Sequence, residues 1–200
     1  YHGVGGFDPD GDGLPARKEG FSSAMGRYLV QLGEKDPNLC AVTAAMKNGT
    51  GLNFFAEKFP IRFFDTAIAE EHAVTFCAGL ATQGFLPVFA VYSTFLQRSY
   101  DQILHDCAIE PKHVVFMIDR AGFVGDDGET HQGLFDPAYL STIPGLRIFS
   151  PESYDELRGC MDRALYQYTD RPVAVRYPRG EQCCTHNLLG DGTQDFLLRS

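Results

Sequence analysis

Short apolar runs alternate with helical patterns along most of this chain, and this alternation restricts the possible folds more than any other feature. The strand-like runs cover residues 39–45, 85–92, 113–119, 146–150 and 172–177. They are apolar almost throughout, as expected for parallel strands that are covered on both faces. The helical patterns cover roughly residues 21–34, 70–82, 94–108, 135–142 and 153–168. The sequence therefore predicts an α/β fold with three layers, α/β/α, around a mostly parallel sheet.

Polar and aromatic residues are concentrated where the strand-like runs end. The four segments are DTAIAEEHAVTFCAGL (65–80), YSTFLQRSYDQ (92–102), IDRAGFVGDDGETHQG (118–133) and AVRYPRG (174–180). In open parallel sheets, ligands bind outside the carboxyl ends of the strands. We therefore predict one site at this edge, with Tyr92, Arg120 and Arg179 along it.

The composition of the chain narrows the class of protein. Two hundred residues with 44% hydrophobic content are enough for one domain with a buried core. We predict that residues 21–181 form this domain, that 1–20 are a linker, and that 182–200 are a linker towards a missing C-terminal domain. The net charge of -9 argues against nucleic acid or an anionic membrane as the main partner.

The cysteines and the hydropathy pattern bear on the cellular compartment. None of the six cysteines forms a C-x-x-C pair, and most of them fall in apolar stretches, which is typical of a reduced compartment. No stretch approaches the ~18 apolar residues that span a bilayer, and no signal peptide is recognised. We expect a cytoplasmic protein, or a plastid protein if the source is a plant.

Residues 8–19 fit the ligand positions of a calcium-binding EF-hand loop. An EF-hand also needs a helix that enters the loop, and residues 1–7 contain three glycines and no amphipathic period. Pro15 stands where the loop normally has an aliphatic residue. We therefore do not expect calcium to bind here.

The phrases YSTFLQR, DRAG, THQG and RYPRG, in this order and spacing, resemble the central pyrimidine-binding domain of the 1-deoxy-D-xylulose-5-phosphate synthase family. This family depends on thiamine diphosphate and is related to transketolase, and the resemblance covers about residues 20–181. It implies a transferase that condenses pyruvate with glyceraldehyde 3-phosphate to 1-deoxy-D-xylulose 5-phosphate and releases carbon dioxide, in isoprenoid and thiamine biosynthesis. The chain alone is expected to be inactive. The alternatives are a non-catalytic fragment and a transketolase-like ketol transfer domain.

The resemblance also implies which residues bind the cofactor. Glu70 matches the family's catalytic glutamate, which faces the pyrimidine ring, and Phe95 matches the aromatic residue that stacks on this ring. The family usually has glutamine where this chain has Glu71, so it stays open whether Glu71 shares the role. Adjacent residues of a helix point about 100° apart, and only one of the two acids can face the ring. We favour Glu70.

The resemblance implies substrate-binding residues in the other segments. Arg120 and Arg179 match the arginines that bind the phosphate of glyceraldehyde 3-phosphate, with Tyr92 assisting, and Arg98 is a weaker candidate. A planar guanidinium suits this task because it binds phosphate oxygens bidentately.

Two residues of the segment GDDGETHQG complete the predicted site. His131 matches the family's catalytic histidine, which can hydrogen-bond a carbonyl or move a proton. Asp127 matches an acid that contacts substrate.

The magnesium site of the family is expected outside this chain. Gly11, Asp12 and Gly13 are similar to the family's diphosphate–magnesium motif, but no strand precedes them and no asparagine pair follows. The resemblance therefore implies that a preceding domain of the same polypeptide supplies the magnesium ligands. It also implies a homodimer.

Overall fold

The structure, a computed structural model, describes residues 19–182 and places their strands in one parallel sheet. The strands are β1 (Leu39–Thr43), β2 (Phe63–Asp65), β3 (Leu86–Tyr92), β4 (Val115–Asp119), β5 (Arg147–Phe149) and β6 (Val173–Arg176). Their order in the sheet is β2-β1-β3-β4-β6-β5, and every neighbouring pair is parallel. The predicted α/β class is confirmed, and within the described residues the sheet is entirely parallel.

Helices of very different length connect the strands. They are α1 (Phe21–Lys35), α2 (Asn53–Lys58), α3 (Glu70–Thr82), α4 (Ser93–Leu96), α5 (Tyr100–Gln102), α6 (Asp136–Leu140) and α7 (Tyr154–Asp162). The helix predicted over 94–108 is divided into α4, a 3-10 turn at Gln97–Ser99, α5 and a π-helix at Ile103–Ile109. α7 likewise ends in a π-helix at Arg163–Gln167.

Two apolar clusters, one on each face of the sheet, give the three layers. In β3, Val88 and Ala90 belong to the first cluster, whereas Phe89 and Val91 belong to the second. Helices α1, α2 and α7 cover the first face, and α3, α4 and α6 cover the second. Because both faces are covered, the strands need apolar side chains at consecutive positions.

The carboxyl ends of the strands form the edge where the four polar segments meet. β1 and β3 are neighbours, and the connection after β1 runs to β2 on one side whereas the connection after β3 runs to β4 on the other side, which is the arrangement that leaves a crevice at this edge. In the register of β3 with β4, Tyr92 lies opposite Asp119. β6 is the next strand, and its chain continues to Arg179.

Several predictions concern residues outside the described range. They include most of the two predicted linkers, most of the EF-hand-like loop and the adjacent Cys183 and Cys184.

The described cysteines are free and buried, and burial raises the pKa of Cys40 and Cys107 to about 12. No helix between residues 19 and 182 combines the length and the hydropathy that a membrane span requires.

Candidate active site

Glu70 is the first residue of α3, which begins a few residues after the edge strand β2. Its side chain is buried, with 2% of the residue exposed, whereas the adjacent Glu71 is exposed. The Nη1 group of Arg98 donates a hydrogen bond to Oε1 of Glu70 at 2.5 Å. None of the residues 19–182 donates to the second oxygen, Oε2. The site therefore contains a buried carboxylate with one paired and one unpaired oxygen.

Three rings surround the space between α4 and the loop that follows β4. Tyr92 and Phe95 are stacked with ring centroids 5.9 Å apart, and His131 meets Phe95 edge-on at 5.3 Å. The Thr94 hydroxyl donates to the carbonyl of Thr130 at 3.1 Å, which fixes this loop to α4. The Thr130 hydroxyl and His131 Nδ1 share a hydrogen bond of 2.9 Å. The imidazole is thus held beside the aromatic pair.

Arg120 and Arg179 form a pair that is bridged by one carboxylate. Asp127 accepts from Nε of Arg120 at 3.1 Å through Oδ2, and its Oδ1 lies 2.7 Å from Nη1 of Arg179. The Arg120 guanidinium lies over the Tyr92 ring at 3.7 Å and donates to the carbonyl of Gly49 at 2.9 Å. A Cβ atom on Gly49 would lie only 1.7 Å from the Tyr92 hydroxyl, so the absence of a side chain allows this packing.

Asp136 connects three of the four segments and was not predicted from the sequence. It is buried, and it accepts a hydrogen bond from the Ser93 hydroxyl at 2.9 Å and another from Arg176 Nε at 2.7 Å. Arg176 also donates to the carbonyl of Gly133 at 3.4 Å. This network holds the start of α4 and the loop that contains His131 against β6.

Asp119 is a second buried acid that was not predicted from the sequence. It ends β4, has no exposed surface and accepts a hydrogen bond from the Ser22 hydroxyl at 2.6 Å. Burial raises its pKa to about 6, although Arg120 and Ser22 act in the opposite direction. The Tyr177 hydroxyl is also buried and has no partner within the described residues. Burial raises the pKa of Tyr177 well above its usual value, and the negative charge of Asp119 raises it further.

The predicted residues fall into two connected groups at one edge of the sheet. Glu70 and Phe95 both contact Arg98, whose guanidinium lies 4.8 Å from the Phe95 ring centroid. Arg98 therefore lies with the predicted cofactor residues and not with the arginine pair. The stacked Tyr92 and Phe95 rings join the two groups. Within residues 19–182 no cluster of three or more histidine, cysteine or acidic side chains could hold a metal ion.

The fold and the site define an α/β domain with a parallel sheet and a candidate ligand site at the carboxyl ends of its strands, and comparison with known families identifies its class. The family model "Transketolase, pyrimidine binding domain" matches residues 19–183, and the chain belongs to this family.

The chain is also similar to curated proteins and to solved structures. It is 54% identical over 181 residues to the 1-deoxy-D-xylulose-5-phosphate synthase of Clostridium acetobutylicum, which covers 90% of this chain and 29% of that protein. The Chlorobaculum tepidum synthase is 54% identical over 183 residues, covering 88% and 28%. The chain thus spans less than a third of the length of these relatives. The resemblance found in the sequence is confirmed.

Two solved structures share the fold. One is a split-gene transketolase, described as an inactive beta4 tetramer, with a TM-score of 0.68 and 28% identity, over 78% of this chain and 51% of that chain. The other is transketolase from Leishmania mexicana, with a TM-score of 0.72 and 20% identity, over 85% of this chain and 27% of that chain.

Proposed function

We propose that this chain is the pyrimidine-binding domain of a thiamine-diphosphate-dependent transferase that makes 1-deoxy-D-xylulose 5-phosphate from pyruvate and glyceraldehyde 3-phosphate. The observation that carries the proposal is the joint position of buried Glu70, the stacked rings and the bridged arginine pair at one sheet edge. The named relatives support the choice of substrates. Further domains of the same polypeptide would supply the diphosphate and magnesium ligands. The whole enzyme would be a homodimer in the cytoplasm, or in a plastid if from a plant.

Glu70 and Phe95 fit the pyrimidine end of thiamine diphosphate. A nearly buried carboxylate with an unpaired oxygen suits a ring nitrogen, and a partly exposed aromatic face suits a flat heterocycle. When bound, thiamine diphosphate supplies the carbanion chemistry by which pyruvate loses carbon dioxide and its remaining two carbons are transferred. Glu70 would hold and pass a proton at the ring nitrogen. Arg98 would fix the carboxylate through Oε1.

The two neighbouring glutamates allow a matched test of the cofactor assignment. In the full-length enzyme, Glu70→Gln should lose most hydrogen exchange at the reactive carbon of the cofactor, because an amide does not protonate a ring nitrogen. Glu71→Gln removes the same charge one residue further on, and its exchange rate should stay close to wild type. If instead Glu71→Gln lost the hydrogen exchange and Glu70→Gln kept it, Glu71 would be the functional acid.

Arg120 and Arg179 would bind the phosphate of the acceptor aldehyde. Their guanidinium groups already share one anion, the carboxylate of Asp127, so their separation suits an anionic group. Each hydrogen bond from an arginine to a phosphate is worth roughly 1.5–3 kcal/mol. The Tyr92 ring would hold Arg120 in place through the cation–π contact with its guanidinium. His131 lies beside the stacked rings, where it would hydrogen-bond a substrate carbonyl or move its proton.

A comparison of two acceptors tests the phosphate assignment. Arg120→Ala and Arg179→Ala should each weaken binding of glyceraldehyde 3-phosphate by roughly 1.5–3 kcal/mol and affect unphosphorylated glyceraldehyde much less. Arg158→Ala, at an exposed arginine on α7, is the control and should change neither. Equal losses with both aldehydes would mean that the two arginines only brace the strand ends.

The two alternatives with the same fold are a non-catalytic fragment and a transketolase-like ketol transfer domain. The split-gene transketolase tetramer is described as inactive, which agrees with our expectation that this chain alone has no turnover. A ketol transfer activity would use a ketose phosphate as donor instead of pyruvate. Product analysis of the full-length enzyme with pyruvate as the only donor separates the two reactions. Release of carbon dioxide with formation of the five-carbon product supports the proposal, and turnover with a ketose donor alone contradicts it.

A further inference from the structure

Arg120 has a strained backbone conformation directly after β4. Its φ angle is 60°, in the left-handed region that is unfavourable for a residue with a side chain. The surrounding contacts hold this conformation. The Arg120 amide donates to Oδ1 of Asp119 at 2.8 Å, and the Ala121 amide donates to the Tyr177 carbonyl at 3.0 Å. Gly133 packs so closely that a Cβ there would lie 2.0 Å from the Arg120 carbonyl oxygen.

The carboxylate of Asp119 occupies a position that the sheet normally gives to an apolar side chain. Side chains two residues apart on a strand share a face, and Val115 and Met117 belong to the apolar cluster under α1. A carboxylate buried there is unfavourable unless it is paired and hydrogen-bonded. Its Oδ1 lies 3.0 Å from Nη1 of Arg120, and its Oδ2 accepts from Ser22. The buried charge therefore faces Arg120.

The Arg120 side chain has more hydrogen-bond donors than its neighbours use. Nε donates to Asp127, and Nη1 reaches both Asp119 and the carbonyl of Gly49. A guanidinium has five N–H groups, two of them on Nη2. Among the side chains and backbone groups that the structure describes, none accepts a hydrogen bond from Nη2. Asp119 and its neighbours thus use one side of the guanidinium and leave the other side available.

The first turn of α1 contacts both arginine segments. Ser22 holds the carboxylate behind Arg120, and the Phe21 amide donates to the carbonyl of Gly180 at 2.8 Å, one residue after Arg179. Gly20 also lies close to Gly180, since a Cβ on Gly20 would be 3.0 Å from that carbonyl oxygen. The start of the helix is therefore a common support for the two arginines.

We infer that Asp119 and Ser22 are positioning residues that fix the guanidinium of Arg120 so that its Nη2 group faces an anionic ligand. The identity of this ligand as the phosphate of the acceptor rests on the proposed function. The positioning itself rests only on the contacts described above.

The first test measures Arg120 directly, without activity. In Asp119→Asn, which keeps the shape of the side chain, exchange of the Arg120 Nη1–H protons with water, followed by NMR, should accelerate about tenfold, since Nη1 reaches Asp119 and a hydrogen bond to a charged group is worth at least that factor. Ser22→Ala should give a smaller acceleration. Ser23→Ala, the neighbouring serine on the same turn, is the control and should match wild type. Unchanged exchange in Asp119→Asn would overturn the inference.

The second test uses the full-length enzyme and two acceptors. Asp119→Asn should raise KM for glyceraldehyde 3-phosphate about tenfold and leave kcat and the KM for unphosphorylated glyceraldehyde nearly unchanged. A role limited to folding would lower Tm and affect both acceptors alike, and that result would contradict the inference. If wild type itself did not prefer the phosphorylated acceptor, the proposed function would fail. The NMR measurement would then still decide whether Asp119 positions Arg120.

Discussion

Replacing Asp119 by asparagine should change how the stability of the chain depends on pH. In the folded chain the pKa of Asp119 is about 6, above its ordinary value of 3.8, chiefly because burial disfavours the charged carboxylate. The folded state therefore binds this proton more strongly than the unfolded state does. The resulting stabilisation is complete below pH 3.8 and is lost as the pH rises through about 6.

The size of the effect follows from the two pKa values. The difference between 3.8 and about 6 corresponds to about 3 kcal/mol in the free energy of unfolding, at about 1.4 kcal/mol for each pKa unit. Between pH 4.5 and pH 7.5 the wild type loses about 2 kcal/mol of this stabilisation. Asparagine has no proton to lose. The stability of Asp119→Asn relative to wild type should therefore rise by about 2 kcal/mol over this range and then become constant.

Urea unfolding at several pH values measures this difference. Removing the charge also affects Arg120, Tyr92 and Tyr177, which interact electrostatically with Asp119. This changes the stability of the variant by the same amount at every pH in the range, so the slope of stability against pH still reports the titration of Asp119. Asp170→Asn is the matched control. The hydrogen bond from Arg147 lowers the pKa of Asp170, so its titration lies below the measured range and its curve should run parallel to wild type. A constant difference for Asp119→Asn would refute the reasoning.

Three further substitutions test other contacts of the site. Arg98→Gln should slow hydrogen exchange at the reactive carbon of the cofactor about tenfold in the full-length enzyme, through loss of its charged hydrogen bond to Glu70. A loss confined to the phosphorylated acceptor would instead make Arg98 a substrate residue. His131→Ala should lower kcat about 100-fold with either acceptor, as removal of a general acid–base group does, and unchanged kcat would exclude that role. Gly49→Ala should destabilise the chain by about 1–3 kcal/mol by urea unfolding, because the new Cβ collides with the Tyr92 hydroxyl. Tyr92→Phe in the same chain should recover part of this loss, and purely additive effects would contradict the collision.

The sequence predicted the layers and the sheet edge because these depend on local patterns. Consecutive apolar residues in β3 and β4 indicate strands covered on both faces, and polar segments after each strand indicate the ligand-binding edge. The strand-like runs predicted from the sequence do not include β2, and the predicted helical patterns do not include α2. Each is short, and neither has enough residues to show a clear period.

The sequence by itself determined the fold class, the edge that carries the site and the segments that form it, because hydrophobic periodicity and chain order fix these features. It favoured Glu70 over Glu71 through the family resemblance, but only the packing of α3 shows that Glu70 is buried and Glu71 exposed. It named Arg98 as a weaker candidate for binding substrate, and the hydrogen bond of Arg98 to Glu70 is visible only in the structure. A single signal pointed to Asp119, an acid at the end of the apolar run VVFMI. Its contact with Ser22, 97 residues away in the chain, exists only in the tertiary structure, because burial and hydrogen-bond partners depend on which distant elements pack together.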